Sequence, residues 1–508
     1  MKKRNLLLSL IMGMTAILSI CTPETGSAAS ASGIASYGAN HLIKDDGSLW
    51  VWGDTRSVPT QVQGLSDVQA SFPLQNGVLA VTKDGSVWKW KSSLQLSETA
   101  VTPAEEMRNV TGLQGIYPRY VAVTGEGAVY TSVTSSDGIT IPPFSAVSGI
   151  DQVSAVSQYY ENNKLNNKYS SWQRYLFLKT DGTVWTTYDE FASFSPVANL
   201  TDIVKLEGNY ALRKDGSVWT WPIQNVYAPE TLSDPAVVTA APMSGLTDIH
   251  ALFNNGRTRL AIDGQSRLWF WGSTVTGYSD GTTYGDQPNP VVFSKISKVT
   301  DAYIVEHSIV ALTSDGKVYA ASIETDKLPA DAAFTLLASD VQSMKGGGRH
   351  LIMQKKDGTL WGWGVNKNAQ LGYATYEFSY PAPVPMQKPI SVTLNGEPVA
   401  FTNGVITRGG QNFIPLRSLF SKMGATVGYS ADKIATITGT TAEGKSPITI
   451  VINTVNGNTT VNNKSVRLDN PPFVVNGAVY LPLRFISEQL GATVEWLPQE
   501  GRIVISLK

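Results

Sequence analysis

One short pattern returns through most of this chain and limits what it can fold into. An apolar strand signal runs into a tight Asp-Gly pair and then into Ser/Thr, Val/Leu and Trp, as in Leu42-Ile43-Lys44-Asp45-Asp46-Gly47-Ser48-Leu49-Trp50. Further copies centre on Asp84-Gly85, Glu126-Gly127, Asp181-Gly182, Asp215-Gly216, Gln265-Ser266, Asp315-Gly316 and Asp357-Gly358. The copies lie between about Ile34 and Met386, roughly 44 residues apiece, the period of propeller blades. Asp-Gly is expected to supply the positive φ angles of a type I′ hairpin turn. Aromatic pairs two residues apart (Trp50/Trp52, Trp88/Trp90, Trp219/Trp221, Trp269/Trp271, Trp361/Trp363) project from one face of the strand that follows. A further strand signal precedes several hairpins, such as Leu200–Leu206 and Leu246–Leu252, and a Pro-Val edge follows others, such as Pro59–Val62. Four short strands per unit make a blade. The expectation is a mainly β chain with a seven- or eight-bladed β-propeller, eight by repeat count.

Composition agrees with this and excludes several functions. Charged residues are 16% of the chain against 45 Gly, 26 Pro and 13 Trp, a balance that suits short strands joined by turns. The formal charge of −1 argues against nucleic-acid binding, which requires a basic stripe. Four scattered histidines (His41, His250, His307, His350) and one cysteine, Cys21, leave no His/Cys zinc cluster, no cysteine nucleophile and no disulfide framework. No cofactor or metal is expected.

The last repeat, Gly347-Gly348-Arg349-His350-Leu351-Ile352-Met353 continuing to Asp357-Gly358-Thr359-Leu360-Trp361-Gly362-Trp363-Gly364, with Asn366 and Gln370-Leu371-Gly372 beyond it, resembles a repeat of the regulator-of-chromosome-condensation type. The resemblance covers the propeller region, 34–386. Ser266 stands where the turn glycine belongs, and Tyr130 and Tyr319 stand where other copies carry Trp. Those departures keep seven blades open beside eight. Members of the family range from nucleotide-exchange factors to secreted inhibitors, so the fold does not name an activity.

The N-terminus carries Lys2-Lys3-Arg4, an apolar run from Leu6 to Ile20 and small residues up to Ala31. This is the layout of a secretory signal peptide, assigned to 1–29, and the run is shorter than the ~20 residues a bilayer core needs. Export to the medium or the cell surface is expected, with no integral span after cleavage. Leu18-Ser19-Ile20-Cys21 approaches a lipoprotein box, but Ile20 occupies a small-residue place, which argues against lipid anchoring at Cys21.

From 389 to 508 the pattern changes. Phe413-Ile414-Pro415-Leu416-Arg417 leads to Gly424-Ala425-Thr426-Val427, and Tyr480-Leu481-Pro482-Leu483-Arg484 leads to Gly491-Ala492-Thr493-Val494. Each half reads as a strand, a short helix (Leu416–Met423 and Leu483–Leu490) entered through Pro and stopped by Gly, and another strand. This small, duplicated α+β unit resembles the copper amine oxidase N-terminal-like, or stalk, domain found on secreted Gram-positive proteins. The resemblance implies a spacer or wall-proximal adaptor. No histidine occurs in this region, and a copper site is built chiefly from imidazoles. Arg417 and Arg484 are read as members of structural ion pairs, with anion binding as the alternative.

Elsewhere the repeated Trp pairs are read as filling the gaps between blades rather than stacking on sugars. The Asp-Gly turns offer too few oxygens for Ca²⁺. Adjacent carboxylates at Asp45/Asp46 and Glu105/Glu106 point to opposite faces of a strand, so neither pair forms a glycosidase dyad. The histidines ahead of hairpins are read as buried hydrogen-bonding groups. Two polar, aromatic insertions remain as candidate binding loops: 159–172, with Tyr159, Tyr160, Tyr169 and Trp172, and 273–289, with Tyr278 and Tyr284. The resulting expectation is a non-enzymatic binding scaffold whose propeller face engages an extracellular protein or cell-wall polysaccharide. A polysaccharide hydrolase or lyase, and a secreted enzyme inhibitor, are the alternatives.

Overall fold

The computed structural model describes residues 33–507 apart from 75–76, 92–100, 117–118, 134–141, 166–167, 188–189, 224–238, 278–282 and 441–445. The signal segment and Cys21 therefore lie outside the described residues. Eight successive four-stranded antiparallel meanders follow one another, at 34–61, 68–108, 110–146, 153–196, 203–242, 249–292, 299–338 and 341–385. We number them blades 1 to 8. From blade 2 to blade 8 the first strand of each blade approaches the first strand of the next, so these strands surround the central axis.

The ring closes between blades 8 and 1. Tyr37 Oη lies 2.7 Å from Ser343 Oγ, and the Trp52 indole donates to the Gln370 carbonyl at 2.8 Å. Leu42, Trp50 and Trp52 share one apolar cluster with Ile352, Leu360 and Leu371. Every blade takes its four strands from contiguous sequence, so this closure rests on side-chain packing and hydrogen bonds rather than on a shared strand. Eight is the blade count; the copies at Glu126, Gln265 and Asp315 each form a blade of their own.

The repeated hairpin differs from the type I′ turn expected. Gly47 donates to Lys44 O at 2.9 Å and Lys44 to Ser48 O at 3.0 Å, and only the glycine has positive φ, 76°. This is a three-residue loop, a type I turn completed by a left-handed bulge residue. The extra residue lets Gly47 turn its carbonyl outward, where it accepts the Val68 N–H of blade 2 at 2.9 Å. The same stitch recurs from Gly127 to Val153, Gly182 to Ile203, Gly216 to Ile249 and Gly316 to Val341. Ser266, at φ 57°, makes it to Val299 without a glycine. A Cβ at Gly47 meets Asp67 Cα at 2.7 Å, so glycine serves here both the φ and the blade contact.

The Ser/Thr and Trp of the motif are chemically coupled. Asp215 Oδ1 accepts the Ser217 N–H at 2.9 Å and its hydroxyl at 2.6 Å, and Ser217 Oγ accepts the Trp219 indole N–H at 3.0 Å. Asp46–Ser48–Trp50, Asp181–Thr183–Trp185 and Asp357–Thr359–Trp361 repeat the relay. Where no hydroxyl occupies that place, at Ala128 and Lys317, the aromatic is Tyr130 or Tyr319, which has no indole N–H to satisfy. Blade 6 has lost both the turn acid and the hydroxyl, and there Asp263 takes the Trp269 indole directly at 2.8 Å.

The C-terminal unit packs the two duplicated segments against each other. Gln411–Pro415 pairs antiparallel with Ala478–Pro482 in the register Phe413↔Pro482, Ile414↔Leu481 and Pro415↔Tyr480, which relates equivalent residues by a local two-fold. Each strand feeds a short helix, α1 (Leu416–Phe420) and α2 (Leu483–Gln489), both shorter than the sequence pattern suggests. Ile414, Leu419, Phe420, Leu481, Ile486 and Ile505 lie in its core. This unit docks on the outer strand of blade 1. Ser57 N–H donates to Asn403 Oδ1 and Asn403 Nδ2 to Ser57 Oγ, both at 2.9 Å. Gly404 N–H donates to Thr60 Oγ1 at 2.9 Å, and Val58 packs with Ile406, Phe413 and Tyr480.

Candidate binding face and channel cluster

Meander connectivity sorts the connections between two faces of the ring. The Asp-Gly turns and the links to the next blade share one face; the first hairpin of each blade and the connection between its third and fourth strands share the other. Both insertions fall on that second face. The described residues of the 159–172 segment are not a loop: Val153–Leu165 and Lys168–Lys179 are paired strands in continuous register from Ala155↔Leu178 to Leu165↔Lys168. The insertion lengthens the first hairpin of blade 4 beyond the ring. The second insertion lengthens the outer hairpin of blade 6, whose strands are Leu268–Gly277 and Thr283–Val292.

The six candidate residues separate accordingly. Tyr159 is 6% exposed, its hydroxyl accepts the Trp221 indole N–H at 3.2 Å, and it belongs to the core between blades 4 and 5. It is a packing residue, because it lies at the root of the hairpin rather than at its tip. Tyr160, one residue on and on the opposite face of the strand, is 42% exposed. Tyr284 is 46% exposed and stacks under the Arg257 guanidinium at 4.3 Å. Tyr278 and the side chains of Tyr169 and Trp172 lie outside the described residues. Beside Tyr160, Glu161 and Arg174 form an ion pair at 2.5 Å that is buried at the base of the extension and holds it upright.

The Trp pairs fill space. Trp50, Trp52, Trp90, Trp221 and Trp271 are buried, and several of the half-buried partners carry a cation over one face, as Arg213 does over Trp219 at 4.1 Å and Lys355 over Trp361 at 4.0 Å. A ring already covered in this way offers little face to a sugar. The turn carboxylates spend their oxygens on the Ser/Thr relay, and Glu106 accepts the Phe144 N–H at 2.7 Å. Among the described residues, no group of three His, Cys, Asp or Glu is placed to hold a metal ion.

The inner strands also bring together groups that the sequence pattern does not single out. Lys205 (blade 5) donates to Leu252 O at 2.7 Å, lies 3.1 Å from Glu207 and sits over the Phe253 ring at 5.1 Å. Phe253 contacts Tyr303, with ring centroids 6.2 Å apart. Burial pushes the Asp301 carboxyl (blade 7) up to about 6, against the pull of the Ala302 N–H, Lys345 and Lys205. Burial raises Glu207 too, opposed by Lys205, and takes Tyr37 up to about 12. Five blades contribute to this cluster of half-buried acids, an amine and phenols around the channel. The one sequence signal is the recurrence of polar residues at the third and fifth places of the inner strand, Lys205/Glu207 and Asp301/Tyr303.

The histidines divide. His350 is 3% exposed and its ring Nε2 lies 3.0 Å from Ala39 O, across the closing junction. Burial lowers its pKa and brings that of His41 down to about 4, so both rings are neutral at pH 7. His307 and His250 lie at the surface beside Glu324 and Asp248.

Residues 393–505 match the copper amine oxidase N-terminal domain family. Copper does not fit this copper amine oxidase N-terminal-type unit here, since it has no histidine or cysteine to bind the metal. A search of curated proteins by sequence finds no match. Among solved structures, Prp20p from Saccharomyces cerevisiae is similar at 14% identity and a TM-score of 0.42, covering 70% of this chain and 88% of that one. Human WBSCR16 aligns at 13% identity and a TM-score of 0.38, over 59% of this chain and 90% of that chain. The computationally designed Ika8 protein aligns at 14% identity and a TM-score of 0.37, over 71% and 96%. At these scores the propeller stands on its own strand pairing.

Proposed function

We propose that this chain is an exported, non-enzymatic binding scaffold of the cell surface or medium, in which one face of the propeller engages a protein or envelope polysaccharide. The C-terminal unit serves as its stalk or adaptor. The observation that carries this reading is the asymmetry of the ring. One face is finished by turns of a single repeated geometry, while both insertions project from the other. Segments added to one face of a rigid scaffold are where binding residues concentrate. The basic, apolar and small-residue regions of the first 29 residues support export.

The channel cluster favours binding over hydrolysis. Glu207 has Lys205 as its counter-ion, and Asp301 lies on blade 7, with the inner strand of blade 6 between them. Such groups suit recognition of a polar ligand at the channel mouth.

The test is capture of purified cell-wall polysaccharide and of fractionated secreted protein by the mature chain. A variant in which residues 163–170 are replaced by an Asn-Gly turn runs beside it. Because Asn162 pairs with Ser171, this shortens the hairpin in register and leaves Tyr159 and the Glu161–Arg174 pair in place. Recovery is expected to fall in the shortened variant; equal recovery from both removes the extension from the binding face.

A further inference from the structure

We propose that the cavity between the rim of blade 1 and the C-terminal unit binds a small organic anion, an oxyanion carried on an apolar body, with Arg417 as its charge partner. The cavity measures about 440 Å³. That is the size of a small-molecule site and far larger than a lone ion requires. Thr55 of the propeller, Arg417 and Asn476 supply its polar wall; Leu416, Val475 and Val479 supply its apolar wall. Among the described residues, no carboxylate lines it.

The internal duplication makes the lone arginine informative. Arg484 occupies the equivalent place in the second copy, and its guanidinium meets Glu488 one helical turn later, at 3.4 Å. The residue equivalent to Glu488 in the first copy is Ser421. Arg417 accordingly has no ion pair among the described residues, and it stands in the wall of a cavity while its twin is neutralised. Arg484 faces a second cavity that also contains Asp469 and Glu488, so that site carries its own counter-charge. A guanidinium is permanently charged and presents a planar fork that matches a carboxylate or a phosphate in two parallel hydrogen bonds. The neighbouring apolar wall selects anions with a hydrocarbon portion over bare inorganic ones. This site is separate from the propeller face, and its occupancy does not depend on that reading.

Calorimetric titration of the full chain with phenylacetate, phenyl phosphate and the neutral phenylacetamide tests the proposal. Saturable binding of at least one acid, with no binding of the amide, is expected, and the tighter acid identifies carboxylate or phosphate as the natural group. Arg417→Met should weaken that binding at least about tenfold, the loss of a charge-assisted bidentate contact, while Arg484→Met leaves it unchanged. Ser421→Glu supplies the missing helical partner and should weaken binding as well. Arg417 is exposed and has no ion pair among the described residues, so the melting temperature of Arg417→Met should match that of the parent. Failure of both acids to bind at millimolar concentration, binding of the amide equal to the acids, or undiminished affinity in Arg417→Met overturns the proposal.

Discussion

The indole N–H of Trp50 donates to Ser48 Oγ at 2.9 Å, inside the apolar wall where blade 1 meets blade 8. Trp50 is 1% exposed, so this hydroxyl is what keeps a buried donor satisfied. Ser48→Ala removes the acceptor and leaves the indole unpaired, which costs roughly 1–3 kcal/mol. The reverse exchange on blade 3, Ala128→Ser, adds a hydroxyl beside Tyr130, which has no N–H to offer. Denaturant unfolding should therefore show a clear loss for Ser48→Ala and little change for Ala128→Ser. Equal effects would deny the relay its role.

The histidines at the closing junction give the stability a definite dependence on pH. His41 and His350 have lowered pKa values in the fold, His41 about 4 against an ordinary 6.5. Below pH 6.5 the unfolded chain takes up protons that the folded ring refuses, so stability falls as pH falls from 6.5 toward 4. Above 6.5 both states are neutral and the contribution is flat. His350→Gln, which keeps an N–H for Ala39 O, should reduce this acid limb in melting temperatures measured between those limits. A limb of unchanged slope would place the dependence elsewhere.

Asp301 acts with the opposite sign. Its carboxyl is raised to about 6 from an ordinary 3.8, so the folded chain holds the extra proton in that window. Stability from this group is lost as pH rises from 3.8 to about 6, and the penalty is constant above. Asp301→Asn removes it. The variant should exceed the parent at pH 7 by on the order of 1–2 kcal/mol after allowance for solvent screening, and converge with it at the acid end. The two slopes partly cancel in the parent, so Asp301→Asn should also expose the full histidine limb. A variant less stable than the parent at pH 7 would mean that Asp301 is held by stronger contacts than burial allows.

How much of this was legible in the sequence depends on the range of the interaction. Asp215, Ser217 and Trp219 lie within five residues of one another, and repetition made their hairpin readable; even Gln265-Ser266 is recognisable by position. The turn type was not, because Asp-Gly fits two hairpin geometries and the Gly47 to Val68 stitch decides between them. The polar composition of 159–172 suggests a loop, but an exposed hairpin beyond the ring has no core face to impose alternation, so its strands are not signalled. Tyr159 is core because Trp221, 62 residues away, needs an acceptor. The channel cluster unites Tyr37, Lys205 and Asp301 from three blades, and nothing local marks them as neighbours. Arg484 does take the ion-paired form expected of both arginines; Arg417 departs from it because Ser421 stands where the second copy has Glu488.

The docking of the C-terminal unit turns on a few fully buried groups, beside the half-buried bond from Lys44 Nζ to Glu500 O at 3.0 Å, so one amide should weigh heavily in it. Ser57 is 0% exposed and its N–H has Asn403 Oδ1 as acceptor, while the Asn403 carboxamide is 5% exposed and returns a bond to the Ser57 hydroxyl. Asn403→Ala leaves the Ser57 N–H buried without that acceptor, at a cost of roughly 1–3 kcal/mol borne by the junction. The propeller and the C-terminal unit have separate main cores, joined among the described residues where Val58 and Ala374 pack against the Ile406, Phe413 and Tyr480 cluster. Losing the amide should therefore uncouple them rather than unfold either. Calorimetry should resolve a second, lower-temperature transition in Asn403→Ala, and the linker near 386–390 should become sensitive to limited proteolysis. A single transition shifted as a whole would mean that the two units melt as one body, with Asn403 supporting both.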